Sequence, residues 1–145
     1  MYHFELINEE YFDYIIQWKY EDEFACYDME DRVTTINQLF NLEGYDFFVG
    51  LNASDEIIGY LECFFKDDIL EVGQGLNPLI IGQGLSYDFI SSSIEYAIDY
   101  YDYTGDIIKI LVEPFNKRAI KVYSRIGFNI VEETDDFVMM HLNTL

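Results

Sequence analysis

The chain has 145 residues, half of them apolar, and carries 28 Asp and Glu against eight Lys and Arg, a net charge of −20. That length predicts one domain, residues 1–145, with a single sizeable core, and 12 Phe with 13 Tyr exclude a disordered chain. The charge argues against a nucleic-acid partner, which needs a cationic surface; the acidic start MYHFELINEEYF is no signal peptide, and no apolar run approaches the roughly 20 residues of a membrane span.

In chain order, Tyr2 to Ile7 alternates as a first strand, and Asn8 caps a helix expected to run to about Trp18. The segment from Lys19 to Tyr27 has no clear period and reads as a loop; Asp28 is expected to cap a second helix through Leu42. Strands follow at about Phe47 to Asn52, Ile57 to Lys66 and Ile69 to Asn77, joined by short turns, so the first half is an antiparallel meander. From Asn77 the pattern becomes strand, helix, strand, helix. Gly84 to Tyr101 has helical spacing, Ile107 to Glu113 is a strand, and Phe128 to Glu133 and Phe137 to Leu142 close the sheet. The fold class is therefore α/β (α+β), with a mixed sheet. Pro78 and Pro114 each sit just past a strand that precedes a helix, which marks the two sides of a crevice.

The segment Glu113 to Phe128, EPFNKRAIKVYSRIGF, carries the most information. At about 100° per residue, Ala119, Val122 and Ile126 share one arc, Lys117, Arg118, Lys121 and Arg125 a second, and Asn116, Ile120 and Tyr123 a third. Asn116 and Tyr123 are two turns apart and look the same way. Five of the eight cations lie between residues 109 and 125, so an acidic chain concentrates its positive charge where it can hold an anion.

Asn116, Ala119, Tyr123, Gly127 and Phe128 match N-x-x-A-x-x-x-Y-x-x-x-G-F. The chain thereby resembles the GCN5-related N-acetyltransferases (GNAT), with motif-specific likeness from about Glu71 to Phe128. The resemblance implies a mostly antiparallel central sheet with helices on both faces. It also implies a parallel strand pair that splays to admit the pantetheine arm of acetyl-CoA. The glycine turn LIIGQGLS, with Gly82, Gln83, Gly84, Leu85 and Ser86, would hold the pyrophosphate on backbone N–H groups at a helix start. It departs from the family's R/Q-x-x-G-x-G/A: Ile81 removes a cation or amide, and Ser86 replaces the last small residue. Leu76 would bond pantetheine, Asn116 would help hold the cofactor, and a nearby strand amide would polarise the thioester.

Transfer to an amine raises two proton problems, because the substrate is an ammonium with a pKa near 10 and the leaving thiolate gains from protonation. Tyr123 matches the family's acid, and Glu71, on the splayed strand, is the expected base. Trp18, Tyr20 and Tyr27 flank the acidic loop KYEDEFACYDM on the acceptor side, where they either hold a cationic amine or cover the core. The expected activity is transfer of acetyl from acetyl-CoA to a primary amine, a small molecule or peptide, within a ternary complex. The alternatives are a non-catalytic acyl-CoA-binding module and a protein-interaction module on the same fold. Cys26 and Cys63 form neither a disulfide framework nor a metal spacing, so a reduced, cytoplasmic protein without metal is expected. Family members often pair through their last strands, which leaves a homodimer open.

Overall fold

The computed structural model describes residues 1–32 and 42–144. Seven strands in it share one sheet: β1 (His3–Leu6), β2 (Tyr45–Leu51), β3 (Ile57–Lys66), β4 (Ile69–Leu76), β5 (Ile107–Val112), β6 (Asn129–Glu133) and β7 (Val138–Asn143). Their order is β1-β2-β3-β4-β5-β7-β6. Every neighbouring pair is antiparallel except β4 and β5. Helices α1 (Glu9–Ile15), α2 (Ser86–Tyr101) and α3 (Lys117–Ile126) cover its two faces.

The two-residue alternation of a strand sorts the core into two layers. Tyr45, Phe47, Val49 and Leu51 of β2 and Tyr60 of β3 face one way and pack with Ile15, Trp18 and Met29. Phe48, Leu61, Cys63, Leu70 and Val72 face the other way, against Phe89, Ile94 and Ala97 of α2. The second layer depends on glycines. A Cβ at Gly50 would lie 2.5 Å from the Phe89 ring, and one at Gly59 would lie 2.8 Å from that ring and 2.4 Å from the Gly75 carbonyl. Bare backbone at these positions lets α2 settle on the sheet.

Helix α3 explains why the Y-x-x-x-G-F part of the signature is spaced as it is. Gly127, at φ 127°, ends the helix with its N–H on the Tyr123 carbonyl at 3.1 Å, and the Phe128 N–H reaches the same oxygen at 3.0 Å. That double closure turns the chain so that Phe128 is buried edge-on against the Tyr123 ring, 5.5 Å between centroids. The start is fixed by Asn116, whose side-chain oxygen accepts from the Ala119 N–H at 3.1 Å.

The mixed sheet, α2 and α3 are as the sequence predicts, with β3 matching residue for residue and the bounds of other strands moving slightly. The first helix stops at Ile15, earlier than Trp18. Its last turn tightens through Gln17 N–H to Tyr14 O and Trp18 N–H to Ile15 O, which buries Ile15 and Trp18 together. The expected loop contains a 3-10 helix, Asp22–Tyr27. The helix expected from Asp28 to Leu42 falls mostly outside the described residues; its first part is a 3-10 turn, Met29–Arg32, and Asp28 uses its carboxylate to accept the Tyr20 N–H at 2.7 Å.

Candidate active site

Strands β4 and β5 pair only at Leu70 with Ile108 and Glu71 with Lys109. Beyond those two rungs β4 runs on to Leu76 beside β3 while β5 follows β7, and a cleft of about 1210 Å³ opens between them. That exceeds the roughly 300–1,000 Å³ of ordinary small-molecule pockets and suits a long cofactor with a second substrate. The Asn77 N–H bonds the Ile58 carbonyl on β3 at 2.8 Å. Alternate residues of a strand turn their backbone groups to opposite edges, so Leu76 and Gln74 turn theirs toward the gap.

One wall is α3 with the start of α2. Tyr123 is 5 % exposed, lines the cleft, and donates its hydroxyl to the Gln74 Oε1 at 2.7 Å. Burial, then the neighbouring Tyr60 and Tyr27 phenols, push its pKa well above the ordinary tyrosine value, so it stays protonated. Gly82, at φ 88°, and Gly84, at φ 76°, require glycine's conformational freedom, and no atom lies within 4 Å of where a Cβ would be. Gly82, Gly84 and Ser86 line the cleft. Leu85, at the N-cap, offers no side-chain bond, so the first N–H groups of α2 are left for another acceptor. Gln83 instead donates to the Ile80 and Leu79 carbonyls.

The cation absent at Ile81 has a neighbour from another helix. Arg125 of α3 lies over the Tyr87 ring in the first turn of α2, 4.7 Å from its centroid, and both residues line the cleft. Arg118, two turns earlier, stacks on Phe24 at 5.0 Å. Neither arginine makes an ion pair among the described residues. The sequence shows the basic stripe but not that two of its members, seven apart, turn inward.

The opposite face supplies the other wall. Tyr20 lines the cleft and donates to the Leu76 carbonyl at 2.7 Å. Tyr27 lines it too, within an aromatic group with Phe24 and Phe115, and accepts from the Asn116 Nδ2 at 3.2 Å. Asn116 therefore borders the cleft with both halves of its amide engaged, one capping α3 and one tying down the loop. Trp18 is not on the cleft: it is 6 % exposed and packed against Tyr60, because its short connection from α1 carries it into the core.

Glu71 is also not brought to the cleft. It stands on the last paired rung before the strands separate, with its carboxylate 3.4 Å from Lys109 Nζ. The carboxylate that does line the cleft is Glu62 of β3, which sequence reading missed. It is 7 % exposed, accepts from Arg32 at 2.9 Å and Tyr45 at 3.0 Å, and its Oε2 lies 3.4 Å from where a Cβ of Gly73 would be. Its sequence signal was faint, a single acid inside the otherwise apolar run IIGYLECFF. Among the described residues no group of three or more His, Cys, Asp or Glu is arranged to hold a metal, and no helix is long and apolar enough to cross a membrane.

Fold and cleft together define an acetyl-CoA-dependent acyltransferase. The sequence matches the model of the acetyltransferase (GNAT) domain over residues 2–129, and the chain belongs to that family. None of the curated proteins matches it significantly. Similar solved structures include the N-acetyltransferase PseH of Campylobacter jejuni in complex with acetyl-CoA, at TM-score 0.77 and 19% identity, covering 100% of both chains. The spermidine N-acetyltransferase of Vibrio cholerae, in complex with CoA and spermine, has TM-score 0.73 and 15% identity over 98% of this chain and 95% of that one. Acetyl-CoA is the co-substrate.

Proposed function

We propose that the protein transfers acetyl from acetyl-CoA to the primary amine of a small cationic molecule, by direct attack within a ternary complex. One observation carries this reading. Gly73 and Gln74 are adjacent on β4 at the gap, with the Glu62 carboxylate against Gly73 on one face and Tyr123 bonded to Gln74 on the other. An acceptor on the Glu62 side and a donor on the Tyr123 side meet only through the opening between β4 and β5.

When bound, acetyl-CoA supplies an activated acyl group on a thiolate leaving group. The glycine turn at Gly82, Gly84 and Ser86, with the first N–H groups of α2, holds its diphosphate. Arg125 supplies the cation that Ile81 does not, and Asp88 in the same turn makes a counter-charge more necessary. The Leu76 N–H bonds the pantetheine arm, and the Gln74 N–H polarises the thioester carbonyl. Glu62 takes the proton from the substrate ammonium, directly or through water, and Tyr123 gives one to the departing sulfur. Tyr20 and Tyr27, with Glu21 and Asp22 on the same wall, favour a cationic acceptor. The Vibrio enzyme of similar fold is a spermidine N-acetyltransferase solved with spermine, which makes spermidine the first amine to try. An aminosugar and a lysine peptide complete a panel.

The first test is the melting temperature with acetyl-CoA, since a ligand that binds only the folded state raises it. At a concentration 100 times its Kd, acetyl-CoA should add about 2.7 kcal/mol, and the same concentration should give Arg125→Ala a clearly smaller rise. No rise with the parent at millimolar acetyl-CoA would reject the cofactor assignment; equal rises would reject Arg125.

The base is tested by comparing two conservative changes. Glu62→Gln keeps an oxygen for Arg32 and Tyr45 but cannot hold a proton at neutral pH, and should lower kcat at pH 7 by about 10- to 50-fold. The deficit should shrink toward the amine's own pKa, near 10, where free base is abundant without help. Glu71→Gln should leave kcat within about twofold. The reverse pattern in the pH–rate profiles would return the role to Glu71.

A further inference from the structure

The hydroxyl of Tyr123 is the end of a buried chain of hydrogen bonds whose polarity can be worked out from its other end. Ser93, fully buried on α2, donates its single hydroxyl hydrogen to the Ile90 carbonyl at 2.7 Å. Its oxygen therefore accepts from the Gln74 side chain, whose Nε2 lies 3.1 Å away. With the NH2 of that amide directed at Ser93, its oxygen faces Tyr123, which must donate. The amide thus holds the phenol's hydrogen on β4, at the strand gap, while Phe128 and burial fix the ring.

We infer that Gln74 and Ser93 form a positioning relay for Tyr123, able to present either an acceptor or a donor to its oxygen. The inference rests on the reading of Tyr123 as the acid. Before transfer, Gln74 Oε1 accepts from the phenol and keeps its hydrogen within reach of the cleft. For transfer the Tyr123 hydroxyl turns its hydrogen from Gln74 Oε1 toward the departing sulfur; the O–H bond then breaks, the proton forms the S–H bond, and the electron pair stays on the phenol oxygen. An amide oxygen facing that phenolate is repulsive. Rotation of the amide presents Nε2 instead, and the Ser93 hydroxyl can swing from Ile90 O to the Gln74 oxygen that now faces it. The phenolate, the amide and the Ser93 hydroxyl each keep a partner while the Ile90 carbonyl gives up the serine's hydrogen, and the phenolate later recovers a proton from water. A residue with only acceptors, or only apolar atoms, at position 74 cannot make that exchange.

The experiment measures kcat, KM for acetyl-CoA and melting temperature for Gln74→Met, Gln74→Glu, Ser93→Ala, the Gln74→Met/Ser93→Ala double variant and Tyr123→Phe, with the best amine among spermidine, the aminosugar and the lysine peptide. Gln74→Met keeps the length and should lower kcat about tenfold, with KM for acetyl-CoA within twofold. Gln74→Glu, which cannot donate to a phenolate, should lower it further. Ser93→Ala should lower kcat less than either, and the double variant should match Gln74→Met, because Ser93 acts only through Gln74. Melting temperature identifies any variant that fails to fold, in which case the remaining position 74 variant and Ser93→Ala decide. If Tyr123→Phe loses turnover but no folded variant at 74 or 93 does, the relay is refuted and the acid role stands. Parent-like turnover in Tyr123→Phe, or no transfer by the parent to any amine, refutes the underlying reading and the relay with it.

Discussion

Tyr123→Phe is expected to lower kcat by about 10²- to 10³-fold while changing KM for acetyl-CoA by less than about threefold. The change removes one oxygen from a ring that is otherwise held by Phe128 and the α2–α3 layer, so packing survives. What is lost is a proton donor on the cleft wall. Because burial first, and then the Tyr60 and Tyr27 phenols, raise its pKa, Tyr123 is protonated across the whole working range. The parent's kcat should therefore show no alkaline decline caused by ionisation of the acid, and the Phe variant should be impaired by a similar factor from pH 7 to pH 9. Thiol release in the steady state measures both. A kcat within twofold of the parent would remove Tyr123 from the mechanism.

Gly59→Ala is expected to cost about 3 kcal/mol, at the upper end of ordinary overpacking. The new methyl would meet the Gly75 carbonyl at 2.4 Å and the Phe89 ring at 2.8 Å. A flexible side-chain end could yield, but here one obstacle is the backbone of β4 and the other is an aromatic ring buried in the core. For a chain of this size each kcal/mol is worth about 3 °C, so the melting temperature should fall by about 10 °C. The same change at Gly82 meets no atom and costs only its left-handed backbone, about 1 kcal/mol. A Gly59→Ala protein that melts within 2 °C of the parent would mean that β3, β4 and α2 are not pressed together at this point.

Much of this fold is legible in one dimension because its signals are local. Alternation marks strands such as Ile57–Lys66, and Asn116 and Gly127 mark a helix start and stop through bonds to their own near neighbours. The spacing from Asn116 to Tyr123 fixes a shared direction on α3, and Gly82 and Gly84 announce an unusual backbone. Each depends on dihedral preferences and hydrogen bonds within a few residues, which sequence carries directly.

The carboxylate on the cleft and the cation beside the glycine turn depend on partners far away in the chain. Glu71 sits on the splayed strand, yet β4 still pairs with β5 at that rung, and Lys109 takes its charge. Glu62, on the neighbouring strand, lines the cleft across from Gly73, with its Oε2 3.4 Å from where a Cβ of that glycine would be. Trp18 has the composition of a binding residue, and burial beneath Tyr60 makes it core. The sequence by itself determined the element order, the signature helix and its protonated tyrosine, since these follow from periodicity, capping and the chemistry of single residues. Only the tertiary structure decided which carboxylate lines the cleft, that Arg125 crosses to the start of α2, and which amide holds the phenol. Those choices depend on where two strands stop pairing, and pairing between distant segments leaves no mark in either one alone.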